Sequence, residues 1–193
     1  MRKLFAAALT AGVVLSGASM THAEETAPVK DIGSIHAGET PIESFVTKEG
    51  IRIDVYNVLE PLPNPGVQLL LNDGAWGRVG TDTWTVDGTG ATKNDAIFKS
   101  TGGDYMVRVP GHSATSYPNG VAGDYIDVSL WEDDGATGDD HVTDFAVVES
   151  SSTRDYITRN LNGYTDGIPL EAEFYTTHKA WYKASNLTVN YYD

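Results

Sequence analysis

Apolar residues alternate with polar ones in short stretches along most of the chain after residue 50. In the first stretch, Ile51, Ile53 and Val55 are separated by more polar neighbours, which is the two-residue period of a half-buried strand. Similar runs, each rich in β-branched or aromatic residues, cover 51–58, 67–71, 83–86, 104–109, 125–131, 142–148, 170–176 and 187–192. The pattern therefore predicts eight strands.

Turn-forming residues separate these runs. Gly, Asn, Asp and Pro are concentrated at 72–74, 87–90, 101–103, 118–120 and 162–163, where they provide the positive φ angles that tight turns need. Short strands joined by such turns predict an all-β fold, an eight-stranded antiparallel β-sandwich over residues 51–193. The stretch 151–161 is predicted to be helical, because Ser152 and Asp155 have the spacing of a capping box.

The beginning of the chain has a different composition. Arg2 and Lys3 precede a short apolar run, and small residues lead up to Ala23. This is typical of a secretory signal peptide over residues 1–23, so we expect a secreted bacterial protein. No stretch has the roughly 18 unbroken apolar residues of a transmembrane helix. Residues 24–50 are predicted to be a polar tail or linker, with one strand near 44–47.

Charge and cysteine content narrow the classes of function. The absence of cysteine excludes disulfides, thiolate metal sites and a cysteine nucleophile. Loss of Arg2 and Lys3 with the signal peptide would take the formal net charge from −14 to −16. A surface this acidic repels nucleic acid and favours cations as partners, although acidity also keeps a secreted protein soluble.

One turn concentrates the negative charge. Glu132, Asp133, Asp134, Asp139 and Asp140 fall within nine positions that contain no Lys or Arg, directly after the predicted strand at 125–131. Each close pair of carboxylates repels by about 1 kcal/mol even in water, and a divalent cation would reverse the sign of that energy. The turn therefore predicts a bound cation, and the alternative is an unoccupied acidic turn exposed to solvent.

Calcium is the expected ion, because it accepts six to eight oxygen ligands in flexible geometry. Magnesium requires a tighter octahedron, and zinc usually takes nitrogen or sulfur ligands. The neighbouring His141 is interpreted as a solvated residue at a strand edge. The sequence has no EF-hand spacing.

The segment 131–142 resembles the third calcium loop of the C-two domain, a calcium-dependent phospholipid-binding β-sandwich. Glu132 and Asp134 fall on the first two acidic positions of that loop, and Asp139 and Asp140 fall on the last two. In the stretch 62–67, Asn64 stands where the family has an aspartate of its first calcium loop. The resemblance implies a C-two-like fold, a weakly bound calcium ion and an anionic lipid headgroup as a possible partner.

The same sequence also fits two alternative functions. The tryptophans Trp76, Trp84, Trp131 and Trp181 could form a stacking platform for sugars, as in a carbohydrate-binding module of the cell envelope, although aromatic residues also fill β-sandwich cores. The clustered acids could instead act as the carboxylate pair of a glycoside hydrolase, although such pairs usually come from separate strands.

The sequence thus leads to one main expectation. We expect a secreted, non-enzymatic calcium-binding β-sandwich whose ion stabilises loops or bridges to an anionic partner. A polysaccharide-binding module is the first alternative, and a hydrolase is the second.

Overall fold

The computed structural model describes residues 36, 38–58, 76–118, 123–135, 138–166 and 171–193. These residues contain eleven β-strands and a 3-10 helix at Asn162–Tyr164. The strands are β1 (Glu43–Val46), β2 (Arg52–Asn57), β3 (Arg78–Trp84), β4 (Lys93–Asn94), β5 (Phe98–Ser100), β6 (Tyr105–Val109), β7 (Tyr125–Glu132), β8 (Asp140–Val148), β9 (Arg154–Thr158), β10 (Ala172–Ala180) and β11 (Leu187–Tyr192).

The strands form two antiparallel sheets. The six-stranded sheet has the order β1-β2-β9-β6-β11-β3. The five-stranded sheet has the order β4-β10-β7-β8, and β5 also pairs with β10. The predicted all-β class with antiparallel pairing is therefore confirmed.

A shared core lies between the inner faces of the two sheets. Tyr105 of the six-stranded sheet packs against Phe174 of the five-stranded sheet, with ring centroids 5.0 Å apart. Phe145 of the five-stranded sheet similarly stacks on Tyr156 of the six-stranded sheet, at 5.4 Å. Alternate residues of each strand point inward, so the two-residue hydrophobic period produces this core directly.

The outer face of the six-stranded sheet is buried around β6 and β9. Arg108 and Asp155 lie opposite each other on these strands, and both guanidinium–carboxylate hydrogen bonds are 2.6 Å long. Asp155 also contacts Nε2 of His36, at 2.8 Å, and the ring of His36 stacks on Tyr56. The chain therefore buries a paired charge under this surface, beside an apolar cluster that includes Met106 and Ile157.

Most of the predicted strands are present. The runs 51–58, 104–109, 125–131, 142–148 and 187–192 correspond to β2, β6, β7, β8 and β11, and 83–86 and 170–176 overlap β3 and β10. The run 67–71 lies outside the described residues. The described part of 51–193 contains ten strands, so the predicted count of eight is too low: β4 and β5 have only two and three residues and cannot display a period, and β9 was predicted to be a helix.

The predicted helix at 151–161 is wrong, because this segment contains strand β9. Tyr156 points into the core, whereas Asp155 and Ile157 lie on the opposite face. The strand is paired on both sides, with β2 and with β6. Two ladders of backbone hydrogen bonds and the ion pair with Arg108 outweigh the weak capping signal of Ser152.

The first sheet includes residues that the sequence assigned to the N-terminal tail. Strand β1, expected near 44–47, pairs with β2 in the register Glu43↔Val55 to Val46↔Arg52. The predicted signal peptide lies outside the described residues. In the described part of the chain, no helix has the length and apolar character needed to cross a membrane.

Replacing Asp155 by Asn should leave the buried guanidinium of Arg108 without its counter-charge. We expect the free energy of unfolding to fall by about 3 kcal/mol, because a buried charge loses its compensation. Urea denaturation of both proteins measures the difference. The control is Glu171→Gln, which removes one partner of the exposed Lys99 and should cost less than about 1 kcal/mol. Equal losses in the two variants would contradict the interpretation.

Candidate metal centre

Strand β7 brings a carboxylate to the inner face of its sheet. Ile126, Val128 and Leu130 are buried on that face, and Glu132 continues the same alternation with only 3% of its surface exposed. The strand ends at Glu132. The period that builds the core therefore also places an ionisable side chain at its margin.

Two further acids meet Glu132 from other parts of the chain. Carboxylate oxygens of Glu132, Asp166 and Glu173 all lie within 4.8 Å of one another. Antiparallel pairing of β7 with β10 brings Glu173 close, and the backbone N–H of Asp133 donates to the carbonyl oxygen of Glu173 at 2.8 Å. Asp166 is positioned by a backbone bridge to Glu171, just before β10. We call these three acids the carboxylate triad.

The environment of Glu132 opposes ionisation. Burial, followed by the negative charge of Asp134, raises the pKa of Glu132 from its ordinary value of 4.5 to about 7. Glu173 is in a different position, since Nζ of the exposed Lys99 lies 3.5 Å from its carboxylate. The triad therefore contains one carboxylate that a bound cation would stabilise strongly in the ionised form.

The geometry of the triad suits a hard divalent cation. Calcium–oxygen bonds are about 2.3 to 2.6 Å long, so two ligands of one ion can be up to about 5 Å apart. The triad's oxygens fall within that limit. One buried, one half-buried and one exposed carboxylate leave an open side where water can complete the six to eight ligands that calcium prefers.

The acids of the 132–140 turn do not all converge. The carboxylate of Asp133 accepts a hydrogen bond from the backbone N–H of Gly135, at 2.9 Å, and so shapes the turn. The carboxylate of Asp139 accepts one from the hydroxyl of Tyr175, at 2.6 Å. Both carboxylates thus have hydrogen-bond donors within the protein.

The remaining predicted ligands are distributed differently. Asp134 is close enough to Glu132 to raise its pKa. Asp140 is exposed at the start of β8, opposite Glu132 in the β7–β8 ladder. Asn64 lies outside the described residues. Of the predicted ligands, the described structure places Glu132 in a three-acid group, and its partners there come from other segments.

Sequence reasoning missed Asp166 and Glu173. Glu173 lies in a predicted strand, but an acid at an alternating position there has the appearance of an ordinary surface residue. Asp166 follows a turn signal at 162–163 and has no acidic neighbour within three residues. Only the pairing of β7 with β10 brings these residues to Glu132, and strand pairing is not encoded in local spacing.

His141 belongs to a second group of charged residues. Its Nε2 lies 2.8 Å from Asp144, and its Nδ1 lies 3.6 Å from Glu49. Burial opposes ionisation of Asp144, but hydrogen bonds from Ser129, Lys48 and His141 outweigh it and lower the pKa of Asp144 to about 2. His141 is half-buried in this network and links β8 to the turn between β1 and β2.

The four tryptophans have separate environments. Trp84 is fully buried in the core, and Trp76 packs against the buried cluster on the outer face of the six-stranded sheet. The other two tryptophans are half-buried at the five-stranded sheet. Trp131 lies within β7, and Trp181 comes directly after β10. A platform of all four rings is therefore not formed.

Comparison with known families identifies the chain. The family described as "YndA coiled coil domain" matches residues 78–191, so the chain belongs to that family. The matched region runs from β3 to β11, and its described residues contain no α-helix, although a coiled coil is built from α-helices. No curated protein and no solved structure gives a match.

The resemblance to the C-two domain is wrong, because the matching family is a different one. The similarity rested mainly on the acidic spacing of one turn, and the structure explains that spacing locally. Asp133 shapes the turn, Asp139 bonds to Tyr175, and Asp140 begins the next strand. Acids after a strand can thus reproduce a short calcium-loop pattern without the family's fold.

The raised pKa of Glu132 predicts a pH-dependent stability in the presence of chelator. Folding raises this pKa, so stability that is present below about pH 4.5 is lost as the pH rises through about 7. Glu132→Gln should therefore be more stable than the unaltered protein at pH 8, by roughly 1 to 3 kcal/mol, and about equally stable at pH 4. Chemical denaturation at the two pH values measures this.

Asp139→Asn provides the matched control, since Asp139 lies in the same turn but accepts its hydrogen bond from Tyr175. It should not gain stability at pH 8. A gain in Glu132→Gln that is the same at pH 4 and pH 8 would show that burial of the Glu132 charge is not the cause.

Proposed function

We propose that this member of the YndA coiled coil domain family is an exported, non-enzymatic β-sandwich that binds one calcium ion at the carboxylate triad. The ion stabilises the loops at that end of the two sheets. The observation that carries the proposal is the position of the buried Glu132. One of its carboxylate oxygens lies within 4.8 Å of carboxylate oxygens of Asp166 and Glu173.

Charge balance supports a cation at this position. Elsewhere, the buried carboxylate of Asp155 is compensated by the guanidinium of Arg108 at 2.6 Å. At Glu132, burial and the negative charges of neighbouring acids, Asp134 first, raise the pKa, and the backbone hydrogen bond with Glu173 that opposes them does not outweigh them. A divalent cation would supply the missing compensation and remove the mutual repulsion of the acids.

The type of ligand favours calcium among divalent cations. The triad offers oxygen atoms from flexible carboxylates and contains no histidine or cysteine, which zinc would usually require. Carboxylates can bind calcium through one or both oxygens, so modest movements of Asp166 and Glu173 adjust the geometry. Lys99 competes for Glu173, which favours weak binding, suited to the millimolar calcium outside cells.

A stabilising role follows from which segments the triad joins. Glu132 ends β7, Asp166 is bridged to Glu171 just before β10, and Glu173 lies within β10. An ion bound to all three would tie the segment that contains Asp166 to two central strands of one sheet. With a dissociation constant of about 10⁻⁴ M and calcium about twentyfold above it, the stabilisation is roughly 1.8 kcal/mol.

Thermal unfolding in calcium and in chelator tests the proposal. Calcium at 2 mM should raise the melting temperature by about 5 °C, because it binds only the folded state. In Glu132→Gln and Glu173→Gln, this increment should be lost. In Asp139→Asn, it should be retained, which distinguishes the triad from the acidic turn as the ligand set.

Two results would overturn the proposal. The first is an unaltered protein whose melting temperature is the same in calcium and in chelator. The second is a calcium effect that survives in both triad variants, since the ion would then bind elsewhere. Magnesium at the same concentration controls for ionic strength and should give little stabilisation.

A further inference from the structure

The outer face of the five-stranded sheet carries a groove. Its volume is about 370 Å³, which is within the range of about 300 to 1,000 Å³ found for small-molecule sites. The side chains that bear polar groups along it are those of Thr92, Asp127, Ser129, Asp144, Thr177 and Lys179. These residues come from β7, β8, β10 and the segment before β4.

The register of the strands arranges these groups in rows. Ser129 lies opposite Asp144 on one side and Thr177 on the other. One row along, Asp127 lies opposite Lys179. The floor of the groove therefore presents hydroxyl, carboxylate and ammonium groups side by side on a rigid sheet.

Aromatic rings lie beyond the residues that line the groove, in both directions along the strands. At one end, Trp131 is next to Tyr175 and His141, with the Trp131 and Tyr175 rings 14° from parallel and 6.5 Å apart. At the other end, Nε1 of Trp181 donates to Asp127 at 2.8 Å, and Nζ of Lys179 lies 4.0 Å from the Trp181 ring centroid. Trp131 and Asp127 are four positions apart along β7, which corresponds to a distance of about 13 Å.

Hydrogen bonds hold the polar groups in place before any ligand arrives. Oδ1 of Asp144 bonds to Ser129 at 2.7 Å and to Nε2 of His141 at 2.8 Å, and Oδ2 accepts one bond, from Lys48 at 2.9 Å. Asp127 is fixed by Trp181. Each carboxylate oxygen has two lone pairs, so an oxygen that already accepts one bond can accept another from a ligand hydroxyl. Such fixed acceptors reduce the entropy lost on binding.

The chemistry of the groove matches a sugar polymer. A pyranose ring has hydroxyl groups along its rim, which both donate and accept, and a face of C–H groups that packs on aromatic rings. The net charge of −14 argues against polyanionic glycans, because they would be repelled at long range. A neutral oligosaccharide has the hydroxyl groups and the C–H face, and it carries no negative charge to be repelled.

We propose that the groove over Asp127, Ser129, Asp144 and Thr177 binds a neutral oligosaccharide that extends between Trp131 and Trp181. The proposal is independent of calcium at the carboxylate triad, since the side chains of the groove and Glu132 lie on opposite faces of β7. Binding should therefore be the same in calcium and in chelator.

Isothermal titration with soluble hexasaccharides tests the proposal. The probes are the neutral β-1,4-linked glucose, N-acetylglucosamine and mannose oligomers and the α-1,4-linked glucose oligomer, with oligogalacturonate as the anionic comparison. At least one neutral oligomer should bind, with a change in tryptophan fluorescence. Thr177→Arg, which fills the middle of the groove, should weaken that binding by about tenfold or more.

The matched control is Thr188→Arg, which introduces the same side chain at an exposed strand position of the other sheet. It should bind as the unaltered protein does. If Thr177→Arg does not fold, Thr92→Arg at the exposed rim of the groove blocks it without altering β10. The proposal is overturned if no neutral oligomer binds, if oligogalacturonate binds best, or if binding survives the folded groove variant.

Discussion

The two faces of strand β7 constrain both proposed sites. Because alternate residues point to opposite sides, Ile126, Val128 and Leu130 must enter the core, and Glu132 must follow them. The same alternation sends Asp127, Ser129 and Trp131 to the outer face, where Asp127 and Ser129 line the groove. Neither set could shift by one residue without exposing the apolar positions to water. The core thus fixes where the chemically active side chains lie.

Buried charge is handled in two ways in this molecule. Asp155, on the outer face of the six-stranded sheet, is held by two short hydrogen bonds from Arg108, so its charge is compensated inside the protein. Glu132 instead lies among other acids, and its pKa is raised to about 7. The contrast is informative because both carboxylates are buried to a similar extent. The charge of Asp155 needs no further compensation, whereas a cation bound at Glu132 would offset the repulsion among the clustered acids.

The local acidic turn identified only one member of the carboxylate triad. Glu132 was recognisable because it follows a strongly alternating strand, but Asp139 and Asp140 are in the same turn and have different neighbours. Asp166 and Glu173 join Glu132 through strand pairing over more than 30 residues of chain. Short spacing patterns also misled the assignment of family, and the word "coiled coil" in the matching family's description does not correspond to the strands found here.

The sequence by itself determined the all-β class, most long strands and the inward or outward direction of the side chains in those strands, because a period of two residues is a local property. It also indicated that acids concentrate after β7. Strand order, the identity of β9 as a strand and the grouping of Glu132 with Asp166 and Glu173 were decided only by the tertiary structure. These features depend on which strands pair, and pairing is settled by the packing of the whole core and not by any one segment.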